Sequence, residues 1–134
     1  MVWNTLIIVT VLLPIAGFAI DVPRYVMLRS RLQIACDAAA EAAARQVDTA
    51  HYTTTGETRL NPTTYAGEAQ WAFAQAVAGL TAKGYTASMT GIALDEAVDA
   101  VQVDAAGSLR LFYNLTPPVT VRTTATSWYR MVRR

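Results

Sequence analysis

Few residues of this 134-residue sequence are of the types that perform chemistry, and they are widely spaced. Cys36 is the only cysteine and His51 the only histidine, so neither a disulfide within the chain nor a paired metal site can form from them. Three acidic residues stand close together at Asp95, Glu96 and Asp99. Carboxylates at this spacing could bind Ca²⁺ weakly, but we favour the alternative, a solvated turn.

The sequence contains no arrangement of acid, base, nucleophile or metal ligand that is typical of an enzyme. Glycine-rich phosphate-binding patterns and the Gly-x-Ser-x-Gly nucleophile pattern are absent. We expect Cys36 to be a buried thiol, in a membrane or in a core, and His51 to be solvated in a polar loop. A net charge of +1 gives no indication of a nucleic-acid partner. We therefore predict a non-enzymatic protein without a cofactor or metal.

The first part of the sequence, residues 2–20, is apolar and contains no charged residue. As a helix it would be about 28 Å long, close to the hydrocarbon thickness of a bilayer, and this predicts a membrane anchor. A cleavable signal peptide is the alternative, but no basic residue precedes the apolar run. Asp21 and Arg24 follow and are expected at the membrane interface. The residues predicted to form the anchor are Leu6, Ile7, Leu12, Leu13, Pro14 and Phe18.

Helix-compatible sequence continues from the anchor to Arg45, which predicts one helix of about 45 residues. Pro14 and Pro23 lie within it and are expected to bend it. Seven of the ten residues 35–44 are alanine. Alanine favours a helix but buries little area, so this surface suits the close approach of another helix. The predicted packing face consists of Leu32, Ala35, Ala39, Ala42 and Ala43.

Two partners for this alanine face are consistent with the sequence. One is a second helix of the same chain, and the other is a copy of the same helix in an assembly. Glu41 and Arg45 are four residues apart and are expected to form an ion pair on the opposite side of the helix.

The second predicted helix is preceded by a polar, threonine-rich segment, residues 47–61, which we expect to be a loop. Asn61 and Pro62 are typical of an N-cap and a first helical position, and Gly84 of a helix end. The helix between them has apolar residues at spacings of three and four. They are Tyr65, Ala69, Ala72, Phe73, Ala76, Val77 and Leu80.

After Gly84 the apolar period changes to two, which is typical of strands. We predict four antiparallel strands, with a hairpin turn at residues 105–108 between the second and the third. The predicted strands lie within residues 84–96, 97–105, 108–116 and 119–132. The predicted fold class is therefore α+β, with a long N-terminal helix and a second helix on the sheet. The predicted parts are an anchor with its helical extension (1–46), a loop (47–61) and an α+β domain (62–134).

The segment FAIDVPRYVMLRSRLQIACDAAAEAAAR resembles the N-terminal region of TadE/TadG-like proteins of tight-adherence pilus systems. Those proteins have an apolar anchor, then an aspartate and an arginine, then a Leu-Gln-framed alanine stretch. The resemblance covers about residues 6–46. The matching positions here are Asp21, Arg24, Leu32, Gln33, Ala35, Asp37, Ala38, Ala39, Ala40, Ala42, Ala43 and Ala44.

This resemblance implies a single-pass protein of the bacterial inner membrane with a pilin-like architecture and a minor-pilin or pilus-assembly role. It also implies that the C-terminal domain lies outside the cytoplasm. Counting basic residues gives the opposite orientation, because Arg24, Arg29 and Arg31 follow the apolar run and none precedes it. The partners expected are membrane lipid and other transmembrane helices or copies of the chain, with no nucleic acid. An accessory subunit of a larger membrane complex, for example an energy-transducing one, is the alternative function.

Overall fold

A computed structural model of the chain describes residues 2–111 and 117–129. Within these residues the strands form one antiparallel sheet in the order β1-β2-β3. The predicted α+β class is confirmed, whereas only three strands are present in the described residues. The elements are α1 (Val2–Ala44), α2 (Thr49–Thr55), α3 (Tyr65–Thr81), β1 (Thr86–Asp95), β2 (Ala100–Leu109) and β3 (Val119–Trp128).

Helix α1 is continuous over 43 residues and passes through both Pro14 and Pro23. Its first half makes almost no contact with the rest of the chain, and its second half packs with α3 on one face of the sheet. The predicted single long helix is therefore confirmed. A proline inside a helix removes one backbone hydrogen bond, but the flanking residues keep the helix intact here.

The second half of α1 runs along the sheet from one end to the other. Leu28 lies against Gly107, and Cys36, two turns further along the helix, lies beside Thr123. Helix α3 runs in the opposite direction and returns the chain to the beginning of this half, where Tyr85 contacts α1. We call the end of the domain that contains Tyr85 and Gly107 the proximal end.

The opposite end of the domain is the distal end, and it contains Asp99 and Tyr129. The backbone N–H of Tyr129 donates a hydrogen bond of 2.9 Å to the carbonyl oxygen of Asp99 there. The exposed first half of α1 therefore leaves the domain at the proximal end, and the turn between β1 and β2 lies at the distal end.

The hairpin turn predicted at residues 105–108 is wrong, because β2 continues straight through it to Leu109. Gly107 is a strand residue that lets α1 approach the sheet, and its backbone does not turn there. The turn is instead at residues 96–99, where Asp99 has a φ of 53°. The Asp95 carboxylate accepts a hydrogen bond from the Ala97 N–H and stabilises this turn.

The third predicted strand, residues 108–116, is not a separate strand in the described part of the chain. Its first two residues end β2, residues 110 and 111 have no regular structure, and residues 112–116 lie outside the described residues. The fourth predicted strand corresponds to β3, and its predicted last residues, 130–132, also lie outside the described residues.

The segment predicted as a loop, residues 47–61, contains the short helix α2. Asp48 is its N-cap and accepts a hydrogen bond from the His51 N–H, and Gly56 ends it with a φ of 77°. The ends of the segment are held together by an isolated antiparallel bridge between Val47 and Leu60. The prediction failed because a run of threonines has a low helix propensity, whereas the caps and the bridge stabilise one helical turn or two.

Helix α3 begins three residues later than Pro62, at Tyr65, with Thr64 at the N-cap position. Asn61 does not cap it directly; its carboxamide oxygen accepts a hydrogen bond from the Thr63 N–H and so forms a turn before the helix. At the other end, Gly84 has a φ of 78° and the helix stops as predicted.

Candidate helix-packing site

The alanine-rich half of α1 forms the centre of the hydrophobic core. Leu32, Ala35, Ala39 and Ala43 are fully buried, and Ala42, at the margin of the face, is half-buried. They pack against α3 and against strands β2 and β3. Within the structure, the partner of the alanine face is thus the rest of the same chain. The buried residues that α3 contributes are Ala69, Phe73, Val77 and Leu80.

Small residues on both sides allow α1 to lie close to the sheet. A Cβ atom placed on Gly107 would be 2.9 Å from the Thr86 carbonyl oxygen and 3.4 Å from side-chain carbons of Leu28 and Leu32. A real Cβ atom would not fit there without a shift of the backbone. Gly107 is therefore part of the packing site. Because glycine occurs both in turns and at close contacts between backbones, its residue type alone does not distinguish these two roles.

Cys36 belongs to the same packing face and lies in the core, one of the two buried environments expected for its thiol, although it was not among the residues predicted for that face. Its Sγ lies 3.1 Å from the hydroxyl oxygen of Thr123, the one buried polar residue among those described. Burial raises the pKa of the Cys36 thiol, while the Thr123 hydrogen bond lowers it and the Asp37 and Asp104 carboxylates raise it further. A buried neutral thiol is a poor nucleophile, so this site suits packing and not thiol chemistry.

One polar contact outside the core links α1 to β3 at the edge of the sheet. The Gln33 side-chain amide donates a hydrogen bond of 3.3 Å to the carbonyl oxygen of Thr124 on β3. The predicted ion pair between Glu41 and Arg45 is present on the exposed side of α1, which confirms that prediction. The helix is therefore held to β3 by its buried face and by one polar contact beside it.

The residues predicted to form the anchor lie on the exposed first half of α1. Leu12 is 57% exposed and Phe18 is 70% exposed. The others, Leu6, Ile7, Leu13 and Pro14, are exposed as well. Among the described residues, α1 is the one helix long and apolar enough to cross a membrane.

Asp21 and Arg24, predicted at the interface, lie where the two halves of α1 meet. Their side chains form an ion pair of 3.4 Å, and the Asp21 side chain is only 13% exposed. The Arg24 Nε also donates a 3.5 Å hydrogen bond to the Tyr85 hydroxyl, and the guanidinium lies over the Tyr85 ring. Tyr85 was not identified from the sequence, and it connects the proximal end of the domain to the base of the exposed half.

The remaining chemically interesting residues lie around an open groove of about 440 Å³ at the distal end. His51 lines this open groove from α2 and is half-buried, so the predicted loop around it is wrong, because these residues form a helix. Glu96 and Asp99 line the groove from the β1–β2 turn. Among the described residues, no three histidine, cysteine or acidic side chains are arranged to hold a metal ion.

Tyr129 closes one side of the distal groove and is almost fully buried. Burial raises the pKa of its hydroxyl, and the carboxylates of Asp99, Glu96 and Asp95 raise it further. The Tyr129 hydroxyl therefore stays neutral. The groove contains carboxylates and Arg59, but they are not in an arrangement typical of catalysis.

Residues 5–46 match the family model described as "Putative Flp pilus-assembly TadE/G-like". This match confirms the resemblance indicated by the Asp21, Arg24 and alanine motifs, and it covers α1 and not the sheet. No curated protein and no solved structure matches the chain.

Proposed function

We propose that this protein is a membrane-anchored, non-enzymatic component of Flp pilus assembly, with a minor-pilin-like role. The observation that supports this most directly is the family match over residues 5–46, which coincides with an exposed apolar helix. Long apolar side chains on an isolated helix would be strongly unfavourable in water, whereas lipid or other transmembrane helices would cover them. The anchor is proposed to cross the bacterial inner membrane once.

The two halves of α1 have different roles in this proposal. The alanine face holds the domain to its own helix, since α3 and the sheet already occupy it. Contacts with other subunits then involve the exposed anchor, through Leu6, Ile7, Leu12, Leu13 and Phe18. Partners are expected to be other transmembrane helices or further copies of the chain.

The C-terminal domain is proposed to lie outside the cytoplasm, as the family resemblance implies. A single exposed cysteine can test this orientation. The variant Cys36→Ala/Thr54→Cys places a thiol on the exposed surface of α2, and a membrane-impermeant maleimide should label it in intact spheroplasts. The control variant Cys36→Ala/Asn4→Cys places the thiol at the N-terminal end of α1, on the opposite side of the membrane from the domain. It should be labelled only after the membrane is opened. The reverse pattern would place the domain in the cytoplasm.

The assembly role is tested by mild detergent extraction, native-gel separation and mass spectrometry of the proteins that co-migrate, together with sequencing of the mature N-terminus. Co-migration with pilus-assembly proteins is the expected result. Co-migration at fixed stoichiometry with a different large membrane complex would contradict the pilus role and favour an accessory subunit.

A further inference from the structure

The acidic residues of the domain are unevenly distributed along its long axis. Of the ten acidic residues of the chain, only Asp21 is at the proximal end, and it is paired with Arg24. The other nine lie level with Gln33 or nearer to the distal end. They are Asp37, Glu41, Asp48, Glu57, Glu68, Asp95, Glu96, Asp99 and Asp104.

The proximal end carries exposed basic side chains that form no ion pair with any residue that the structure describes. Arg29 and Arg31 lie on α1, Lys83 follows α3, and Arg110 follows β2. Arg31 and Lys83 line one groove of about 160 Å³, together with Met27, Ala76, Gly79 and Leu80. Unpaired basic side chains around such a groove are suited to bind a phosphate group.

The position of these side chains along α1 matches the polar layer of a bilayer. Exposed apolar residues do not stop at Ile20, because Val22, Tyr25 and Val26 are exposed as well. Trp3 and Tyr25 are 22 residues apart, which is about 33 Å along a helix, and aromatic residues of this kind are typical of the two interfaces of a bilayer whose hydrocarbon core is about 30 Å thick.

From Tyr25, the helical rise places Arg29 about 6 Å and Arg31 about 9 Å further from the hydrocarbon core. The headgroup layer on each side of a bilayer is about 5 to 7 Å thick, and long basic side chains can reach towards it. Lys83 lies at the level of Arg31, because the two residues line the same groove.

We propose that the proximal end of the domain is a binding surface for anionic phospholipid headgroups of the bilayer that holds α1. The surface consists of Arg29, Arg31, Lys83 and Arg110, and the groove between Arg31 and Lys83 receives a headgroup phosphate. This inference rests on the proposed membrane anchoring. It gives the domain a fixed position on the membrane surface, with the distal end directed away from the lipid.

Native mass spectrometry of the full chain in mild detergent tests this surface. The probes are phosphatidylglycerol and phosphatidylcholine in equal amounts, and the measurement is the ratio of their adducts. Because one basic side chain near an anionic surface contributes about fivefold in affinity, phosphatidylglycerol should bind at least about fivefold better. The variant Arg31→Gln/Lys83→Gln should lose most of this preference.

The matched control is Arg45→Gln/Arg59→Gln, which removes two exposed basic residues far from the proximal end. It should keep the preference for phosphatidylglycerol. Equal binding of both lipids by the original chain, or an equal preference in both double variants, would overturn the proposed surface while leaving the anchor in place. Release of the original chain from membranes by alkaline carbonate, with adducts of neither lipid, would overturn the anchoring and this surface together.

Discussion

The two halves of α1 are both apolar helices, yet they place their apolar residues in opposite environments. Residues 2–20 expose long side chains such as Leu12 and Phe18, whereas the half that contains Ala39 buries mainly alanines, together with Leu28 and Leu32. Long aliphatic side chains cover a large area and suit fluid lipid chains, while alanine allows a rigid neighbour to come close. A surface composed mainly of alanine therefore indicates a closely packed neighbour, although both kinds of surface favour the same helix.

The largest expected difference between the halves concerns membrane retention. Ile8 and Leu12 are both more than half exposed, and replacing both with aspartate should cost about 3 kcal/mol of insertion free energy for each substitution. We expect the Ile8→Asp/Leu12→Asp variant to be released from membranes by alkaline carbonate. Ile34→Asp, an equally exposed position in the other half, should stay in the membrane fraction. Release of both variants would mean that the halves do not differ in environment.

A second comparison inserts the same side chain into each half. Ala39 is fully buried, so Ala39→Leu should lower the free energy of unfolding of the domain by about 3 kcal/mol through overpacking. The same substitution at the exposed Ala16 should leave it unchanged. Denaturant unfolding of the full chain in detergent measures the free energy of unfolding of both variants. Carbonate extraction should show that both variants remain in the membrane. An unaffected Ala39→Leu variant would show that the alanine face is not closely packed.

The close approach of α1 to the sheet can be tested from the sheet side. Gly107→Ala places a Cβ atom 2.9 Å from the Thr86 carbonyl oxygen, and we expect the domain to lose about 2 kcal/mol of unfolding free energy. Gly79→Ala is the matched control, because its Cβ atom meets nothing within 4 Å. Since alanine favours a helix interior over glycine, that variant should gain up to about 1 kcal/mol. If the melting temperatures of the Gly107→Ala and Gly79→Ala variants change in the same direction, the expected difference between the two sites is contradicted.

The smallest expected effect concerns pH. The pKa of Cys36 is raised above its ordinary value of 9.0, so the folded state holds the thiol proton more tightly than the unfolded state. The resulting stabilisation is present below pH 9.0 and is lost as the pH rises through the folded pKa. Urea unfolding should therefore show declining stability above about pH 9. At neutral pH a maleimide should label Cys36 only after unfolding.

Tyr129 also lowers the stability of the domain at alkaline pH, because the pKa of its hydroxyl is raised above 10.0. In the Cys36→Ala variant, the loss of stability that begins near pH 9.0 should disappear. The loss of stability due to Tyr129 should remain. The further substitution Tyr129→Phe should remove that remaining part. A decline that is unchanged in the double variant would assign the alkaline sensitivity to other groups.

Several features of the fold could be predicted from local sequence. The length of α1, the end of α3 at Gly84 and the ion pair of Glu41 with Arg45 depend on residues within a few positions of each other. The family motif also lies within one helix and could be recognised without the sheet. Such features follow from helix propensity, capping and side-chain spacing, which act over one or two helical turns.

Errors arose where one local pattern is compatible with two structures. The Ala-Ala-Gly-Ser segment at residues 105–108 was predicted as a turn, but Gly107 is in a straight strand because Leu28 lies close above it. Helix α2 was predicted as a loop, but a bridge between Val47 and Leu60 holds its ends. In both cases, contacts with residues distant in sequence determined the outcome.

The sequence by itself determined the long helix, its apolar first half and its alanine-rich second half, because each depends on residue type and helical periodicity. Only the tertiary structure decided that the alanine face contacts α3 and the sheet of the same chain, and that Cys36, Tyr85 and Gly107 belong to the contacts of α1. The residue types on a helix face indicate that another element can pack closely against it. The partner depends on how the remaining elements fold back on it, which is a property of the whole domain.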